Sequence, residues 1–306
     1  MATVTFAAFL HLVFAATLAP LLPSLISRVK AFFAGRTGPS LLQPYRDLAR
    51  LLRKGAVFSP TTTSLFRLAP AAGLASMLVA LTVVPAGGSP ALVSFPGDFL
   101  VLVGLLALAR FILILAALDT GSSFEGMGAS REAAFGALSE PALLLGLAAA
   151  VRVSGEPSLS GMMAAASAGA WATAVPALLL VLGSLLAVFL TENARIPVDD
   201  PNTHLELTMI HEVMVLDHSG PDLALIEFGA ALRLWVFGAL IVGLATPLRT
   251  GLPLADAGIF LAGMLALVGF VGVLESAIAR LRLVRVPQFL VGSIAFSVLA
   301  LVLVLR

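Results

Sequence analysis

Asp98-Phe-Leu-Val-Leu-Val-Gly-Leu-Leu-Ala-Leu-Ala-Arg110-Phe-Ile-Leu-Ile-Leu-Ala-Ala-Leu118 is the stretch that decides the fold. A helix rises about 1.5 Å per residue, so a run of ~20 apolar residues crosses a hydrocarbon core of about 30 Å. The single charge between Asp98 and Asp119 is Arg110, mid-way along the run. An ionisable side chain near the bilayer centre costs at least ~2.5 kcal/mol and is kept when it is paired or used.

The same reading extends to seven further stretches: Val4 to Ile26, Leu68 to Ala86, Ser139 to Val153, Ala172 to Thr191, Ile226 to Pro247, Ala255 to Glu275 and Pro287 to Leu305. Pro and Gly clusters mark most of the breaks, and Ser139 to Val153 is the shortest. The first stretch lacks a basic leader and a small-residue cleavage site, so it is read as a membrane helix and not as a signal peptide. The chain is therefore expected to be an all-α, polytopic membrane protein of about eight transmembrane helices, forming one integral membrane domain over residues 1–306.

Composition agrees. With 59% hydrophobic and 11% charged residues and a mean hydropathy of +1.06, too little polar surface exists to coat a soluble globule. The net charge of +1 provides no bulk field for nucleic acid, which is excluded as a partner. Without cysteine the chain cannot hold a disulfide, a thiolate-bound zinc or an iron-sulfur cluster, so any redox centre must sit on another subunit.

Eight spans place both termini on one side. The connections 27–67, 119–138, 192–225 and 276–286 carry 13 of the 18 basic residues, including Arg36, Arg46, Arg131, Arg195 and Arg280. The positive-inside rule makes these the cytoplasmic segments and leaves both termini outside. The opposite connections are short and rich in Gly, Pro and Ser, so the functional loops are expected on the cytoplasmic side.

In the first of these loops Leu41, Leu42, Tyr45, Leu48, Leu51 and Leu52 recur at helical spacing, with Arg46, Asp47, Arg50, Arg53 and Lys54 on the other side. This predicts an interfacial amphipathic helix. Either a lipid-surface anchor or a docking face for a soluble partner fits it.

Four buried charges stand out: Arg110, Arg233, Glu140 and Glu192. Asp119, Glu227 and Glu275 occupy similar inner-end positions, which predicts a carboxylate vestibule suited to proton movement. The segment from Glu192 to His218 concentrates acids and histidines as no other part does. Asp200-Pro201 reads as the N-cap and first residue of a helix running to Gly220, with His204, His211 and His218 on one face. Seven helical residues separate consecutive histidines by ~10.5 Å, too far for one metal ion to bridge any two. Proton uptake or a polar ligand pocket suits these groups better than a metal does.

Three signatures give the chain a resemblance over nearly its whole length: Gly35-Arg-Thr-Gly-Pro-Ser-Leu-Leu-Gln-Pro44 with Asp47 to Lys54; Gly128-Ala-Ser-Arg-Glu-Ala-Ala134 with Ser139-Glu140; and Glu192-Asn-x-Arg195-x-Pro197-x-Asp199. The chain resembles the complex I subunit 1 family, shared with membrane-bound, energy-converting [NiFe]-hydrogenases. After Asp199 the wording, and that of Leu118 to Glu132, is similar to the hydrogenase branch of formate hydrogenlyase and hydrogenase-4. What the resemblance implies is a non-catalytic anchor with no cofactor of its own. The [NiFe] centre and iron-sulfur clusters would lie on partners: a hydrogenase large subunit and an iron-sulfur small subunit, beside antiporter-like membrane subunits in a bacterial or archaeal cytoplasmic (inner) membrane.

By motif position Glu140 and Glu192 correspond to glutamates opening toward the family's proton path. With Glu227, Asp199, Asp200, Glu206, His211 and Glu212 they form the coupling candidates. Arg36, Arg46, Arg131, Arg195 and His204 are the candidates for the junction with the peripheral arm, and Arg110 and Arg233 are the buried charge partners. Two other readings stand beside this one: a quinone-site subunit of a respiratory dehydrogenase, and a stand-alone secondary transporter, against which the absence of an internal repeat speaks.

Overall fold

The computed structural model describes residues 2–166, 168–200, 209–248 and 250–305, and among these every regular element is helical. Seven helices are long and apolar enough to span a membrane: α4 (Ser64–Val83), α5 (Asp98–Asp119), α6 (Ser123–Ser154), α8 (Ala168–Glu192), α9 (Gly220–Ala245), α10 (Pro253–Ala277) and α11 (Val286–Leu305). An eighth candidate is the pair α1 (Ala2–Leu18) and α2 (Leu21–Phe33), bent by 47°. Pro20 sits at that break, where it lacks the N–H that would continue the ladder. Two short helices complete the set, α3 (Gln43–Leu52) and α7 (Leu159–Ala165).

Two expectations need correction. The stretch read as Ser139 to Val153 is part of a single 32-residue helix, α6, beginning at Ser123. Its first half looks polar because Glu125, Arg131 and Glu132 face the protein and not lipid; Glu125 and Glu132 are buried. Nor does one helix run from Asp200 to Gly220. Residues 209–211 are irregular, Glu212–Val215 form a 3-10 turn, and α9 starts afresh at Gly220, so His211 and His218 share no helical face. Competing side-chain bonds draw this backbone away from a helix: Asp199 Oδ2 accepts from the Ile210 and His211 amides at 3.2 and 3.3 Å.

α9 is the central helix. Every residue from Leu234 to Leu244 is buried, as expected of a segment apolar on all sides. α4, α8, α10 and α2 pack around it, while α11 packs on α6 and α8. The outward faces of α5, α10 and α11 expose Phe111, Phe270 and Leu303, surface that a bilayer solvates without penalty. Contacts between connections define two ends. At one, Arg131 donates to the Met209 carbonyl (2.8 Å) and the Leu281 amide to the Pro197 carbonyl (2.8 Å). At the other, the Leu159 amide donates to Asp98 (2.7 Å).

The amphipathic helix predicted for the first loop forms as α3. Its apolar side rests against α9 and α2, and Arg46, Arg50, Arg53 and Lys54 remain exposed. The Tyr45 hydroxyl donates to the Thr17 carbonyl at the bend between α1 and α2.

Candidate functional site

Arg110 is 6% exposed and gathers three carboxylates. Its Nε lies 3.2 Å from Glu132 Oε1, and its two terminal nitrogens pair with Glu140 and Glu192. Gly136 makes room for the guanidinium on α6, where any side chain would collide with it. Glu192, the last residue of α8, also accepts from Ser139 Oγ at 2.6 Å, and Arg233 of α9 approaches its backbone carbonyl at 3.4 Å. Four helices thus meet at one charged centre. Breaking such a buried pair costs about 3–5 kcal/mol, whereas an exposed pair contributes ~0–1 kcal/mol.

From this centre a line of charge runs into the connecting segments. Glu132 Oε2 lies 3.2 Å from His211 Nε2, and His211 Nδ1 lies 3.5 Å from Asp199 Oδ2. Asp199 in turn pairs with Arg280 at 2.8 Å. Burial disfavours the charged form of His211, but Glu132 and Asp199 outweigh it and hold its pKa above the ordinary histidine value of 6.5. For Asp199, burial is opposed by His211, Arg280 and the His211 amide, and its pKa falls below the usual 3.8. A neighbouring cluster sits on the same end: Lys30 pairs with the fully buried Glu275 side chain at 2.9 Å and approaches Asp200 at 3.9 Å, while Arg195 stands 3.8 Å from Glu275. Burial depresses the Arg195 pKa despite those acids.

The candidates named from sequence are distributed unevenly. Arg110, Glu140, Glu192, Arg233, Asp199 and His211 converge; Asp200 and Arg195 belong to the Lys30 cluster. Glu275, Asp119 and Glu227 do not join Glu140 and Glu192 in one vestibule. Asp119 instead accepts from the Thr63 amide and hydroxyl (2.7 and 2.9 Å) at the start of α4, and Glu227 faces Asp47 of α3. Depth alone groups these helix-end carboxylates, but they point to different sides of the bundle. Glu212 opens the 3-10 turn, and Arg36 and Arg46 are exposed. His204 and Glu206 lie outside the described residues. Among the described residues no three His, Cys, Asp or Glu side chains converge at metal-ligand spacing.

Two residues of the axis have no role assigned from sequence, Glu132 and Arg280. A signal for Glu132 exists: Gly128, Glu132, Gly136 and Glu140 recur every four residues, a small-and-acidic stripe on one face of α6. Gly128 is the other small position, where a Cβ would fall 3.0 Å from Met214 and 3.1 Å from the Ile210 carbonyl. For Arg280 no local pattern marks the residue, since its partner lies 81 positions away.

A bundle of membrane helices with a shared arginine–carboxylate centre, connected to ion-paired segments at one end, defines a polytopic membrane subunit of a respiratory type of complex. Residues 6–305 match the family described as NADH dehydrogenase, and the chain belongs to this family, that of subunit 1. Formate hydrogenlyase subunit 4 of Escherichia coli K12 is 34% identical over 292 residues, covering 93% of each chain. Hydrogenase-4 component C of the same organism is 34% identical over 230 residues, 75% of this chain and 71% of that one. A membrane subunit of the NADH-quinone oxidoreductase of Verminephrobacter eiseniae is 27% identical over 220 residues, 67% of this chain and 59% of its own. A chain in the structure of the membrane-bound sulfane sulfur reductase, an archaeal respiratory membrane complex, shares the fold with a TM-score of 0.84 at 18% identity over 99% of both chains.

Proposed function

We propose that this chain is the membrane-anchoring and ion-coupling subunit of a membrane-bound, energy-converting [NiFe]-hydrogenase of the formate hydrogenlyase type. In this reading the Arg131, Arg195 and Asp199 end faces the cytoplasm of a bacterial or archaeal cell and docks the hydrogenase large subunit and the iron-sulfur small subunit. Both termini face outward, and antiporter-like subunits lie alongside in the cytoplasmic membrane. The observation that carries the reading is the continuous line from Arg110, Glu140 and Glu192 through Glu132 and His211 to Asp199 and Arg280. Such a line links a surface segment to groups deep in the bundle, as coupling of redox chemistry to proton or sodium movement requires. The full-length similarity to formate hydrogenlyase subunit 4 supports the hydrogenase branch.

A second reading, the quinone-site membrane subunit of a complex I-like dehydrogenase, is favoured by the 27% identity to a subunit of NADH-quinone oxidoreductase. Purification of the tagged chain in mild detergent, with mass spectrometry and metal analysis of the eluate, separates the two. Nickel together with a hydrogenase large subunit supports the first. A nickel-free complex containing flavin or bound quinone supports the second, and a chain that purifies alone overturns both in favour of a transporter.

A further inference from the structure

Among the described residues Glu132 is the one side chain that touches both Arg110 and His211. One carboxylate oxygen lies 3.2 Å from the arginine and the other 3.2 Å from the imidazole, and only 5% of the side chain is exposed. Every charged element packed around the pair is in view: Arg110 from α5, Glu140 from α6, Glu192 from α8, Arg233 from α9, and Asp199 with Arg280 from the segments that follow α8 and α10. Asp199 and Arg280 neutralise one another. The two guanidinium groups of Arg110 and Arg233 against the carboxylates of Glu132, Glu140 and Glu192 leave one negative charge, which a proton on His211 cancels. The imidazole is held by charge more than by directed bonding, since neither ring nitrogen is aligned as a hydrogen bond to its carboxylate.

We propose that Glu132 is the positioning residue through which the protonation state of His211 sets how tightly Arg110 holds Glu140 and Glu192. A charged His211 draws the Glu132 carboxylate toward itself, and Arg110 is then shared mainly by the other two acids. A neutral His211 releases Glu132 back to Arg110, which loosens the guanidinium from Glu140 and Glu192. A proton gained or lost in the 209–215 segment thereby becomes a change in the membrane interior without itself crossing that distance. This deepens the coupling role proposed above and rests on it for its meaning, though not for its geometry.

The test uses the complex purified through a tag on this chain and labelled with ring-13C histidine, titrated by infrared difference spectroscopy. The chain has four histidines, and a His211→Asn variant assigns the band. His211 is expected to titrate above 6.5, and Glu132→Gln to lower its midpoint by about one pH unit. The pH limb of proton movement driven by hydrogen turnover in vesicles is expected to move with it, and His211→Asn to abolish that limb. Dye-linked hydrogen oxidation in each sample reports whether the peripheral subunits are in place. An unchanged midpoint in Glu132→Gln overturns the proposal, as does a limb that stays fixed while the midpoint moves. If Glu132→Gln does not assemble, a limb retained in His211→Asn overturns it. A nickel-free complex would defeat the hydrogenase reading alone, because the infrared midpoint still judges the Glu132–His211 pair.

Discussion

Gly136 lies flush against Arg110: a methyl group in place of its hydrogen would fall 3.0 Å from both Cδ and Cζ of the arginine. Those atoms cannot swing away, because three carboxylates on two helices hold the guanidinium. Gly136→Ala is therefore expected to destabilise the chain by about 1–3 kcal/mol, as overpacking of a filled interior does. Gly104→Ala on α5 is the comparison, since nothing lies within 4 Å of that position and alanine favours helix. Thermal unfolding of the purified complex should show a lowered midpoint for the first and an unchanged or raised one for the second. Equal midpoints would mean that Arg110 is not held in place.

The acids around Arg110 differ in environment. The Glu192 side chain is 5% exposed and bonds Ser139 as well, whereas that of Glu140 is 38% exposed. Glu192→Gln should therefore cost more stability than Glu140→Gln. Both are expected to lower hydrogen-driven proton movement about ten-fold, equivalent to ~1.4 kcal/mol, while dye-linked turnover by the peripheral subunits persists. Proton movement at the wild-type rate in both variants would remove these glutamates from the ion path.

Much of this site is legible in the sequence because membrane burial makes charge conspicuous. Arg110, Glu140, Glu192 and Arg233 are exceptions within apolar runs, and the spans themselves follow from length and hydropathy. The 193–219 segment misleads because Asp200-Pro201 and a regular spacing of histidines imitate a helix. What overrides them is non-local: Asp199 caps two amides more than ten positions later, and Gly128 seats that same turn on α6. Glu132 escapes notice for a related reason, since its neighbours Arg131 and Glu125 make the start of α6 look like an exposed loop.

Protonation of His211 ties the 209–215 turn to α6 and to Asp199. Its pKa is raised above 6.5 in the folded protein, so the stabilisation is fully present below pH 6.5 and is lost as pH rises through the folded value. Asp199 has a pKa below 3.8, so its contribution is constant across the neutral range and disappears only in acid. Hydrogen exchange of the 209–215 amides, corrected for the intrinsic rate, should show more protection near pH 6 than near pH 9. Protection that is flat or rises with pH would contradict the pairing.

Gly220 closes a second seam, between the strip that follows α3 and the start of α9. Its φ of +55° is strained for any other residue, and a Cβ there would lie 2.7 Å from the Gly55 carbonyl oxygen and 3.2 Å from that of Lys54. Beside it the Val57 amide donates to Ser219 Oγ at 3.1 Å, and His218 stacks on Phe66 with ring centroids 3.9 Å apart. Burial drives the His218 pKa down to about 4, so the ring stays neutral and apolar enough to sit on that phenyl face. Gly220→Ala should separate the two strips and expose the Lys54–Gly55 bond to trypsin, speeding cleavage about ten-fold for ~1.4 kcal/mol of lost docking. Gly121→Ala isolates the backbone strain, because Gly121 has a φ of +70° with nothing within 4 Å. Faster cleavage after Lys54 in Gly220→Ala but not in Gly121→Ala would assign the effect to the close contact with Gly55, and equal rates in both would assign it to loss of the left-handed conformation alone.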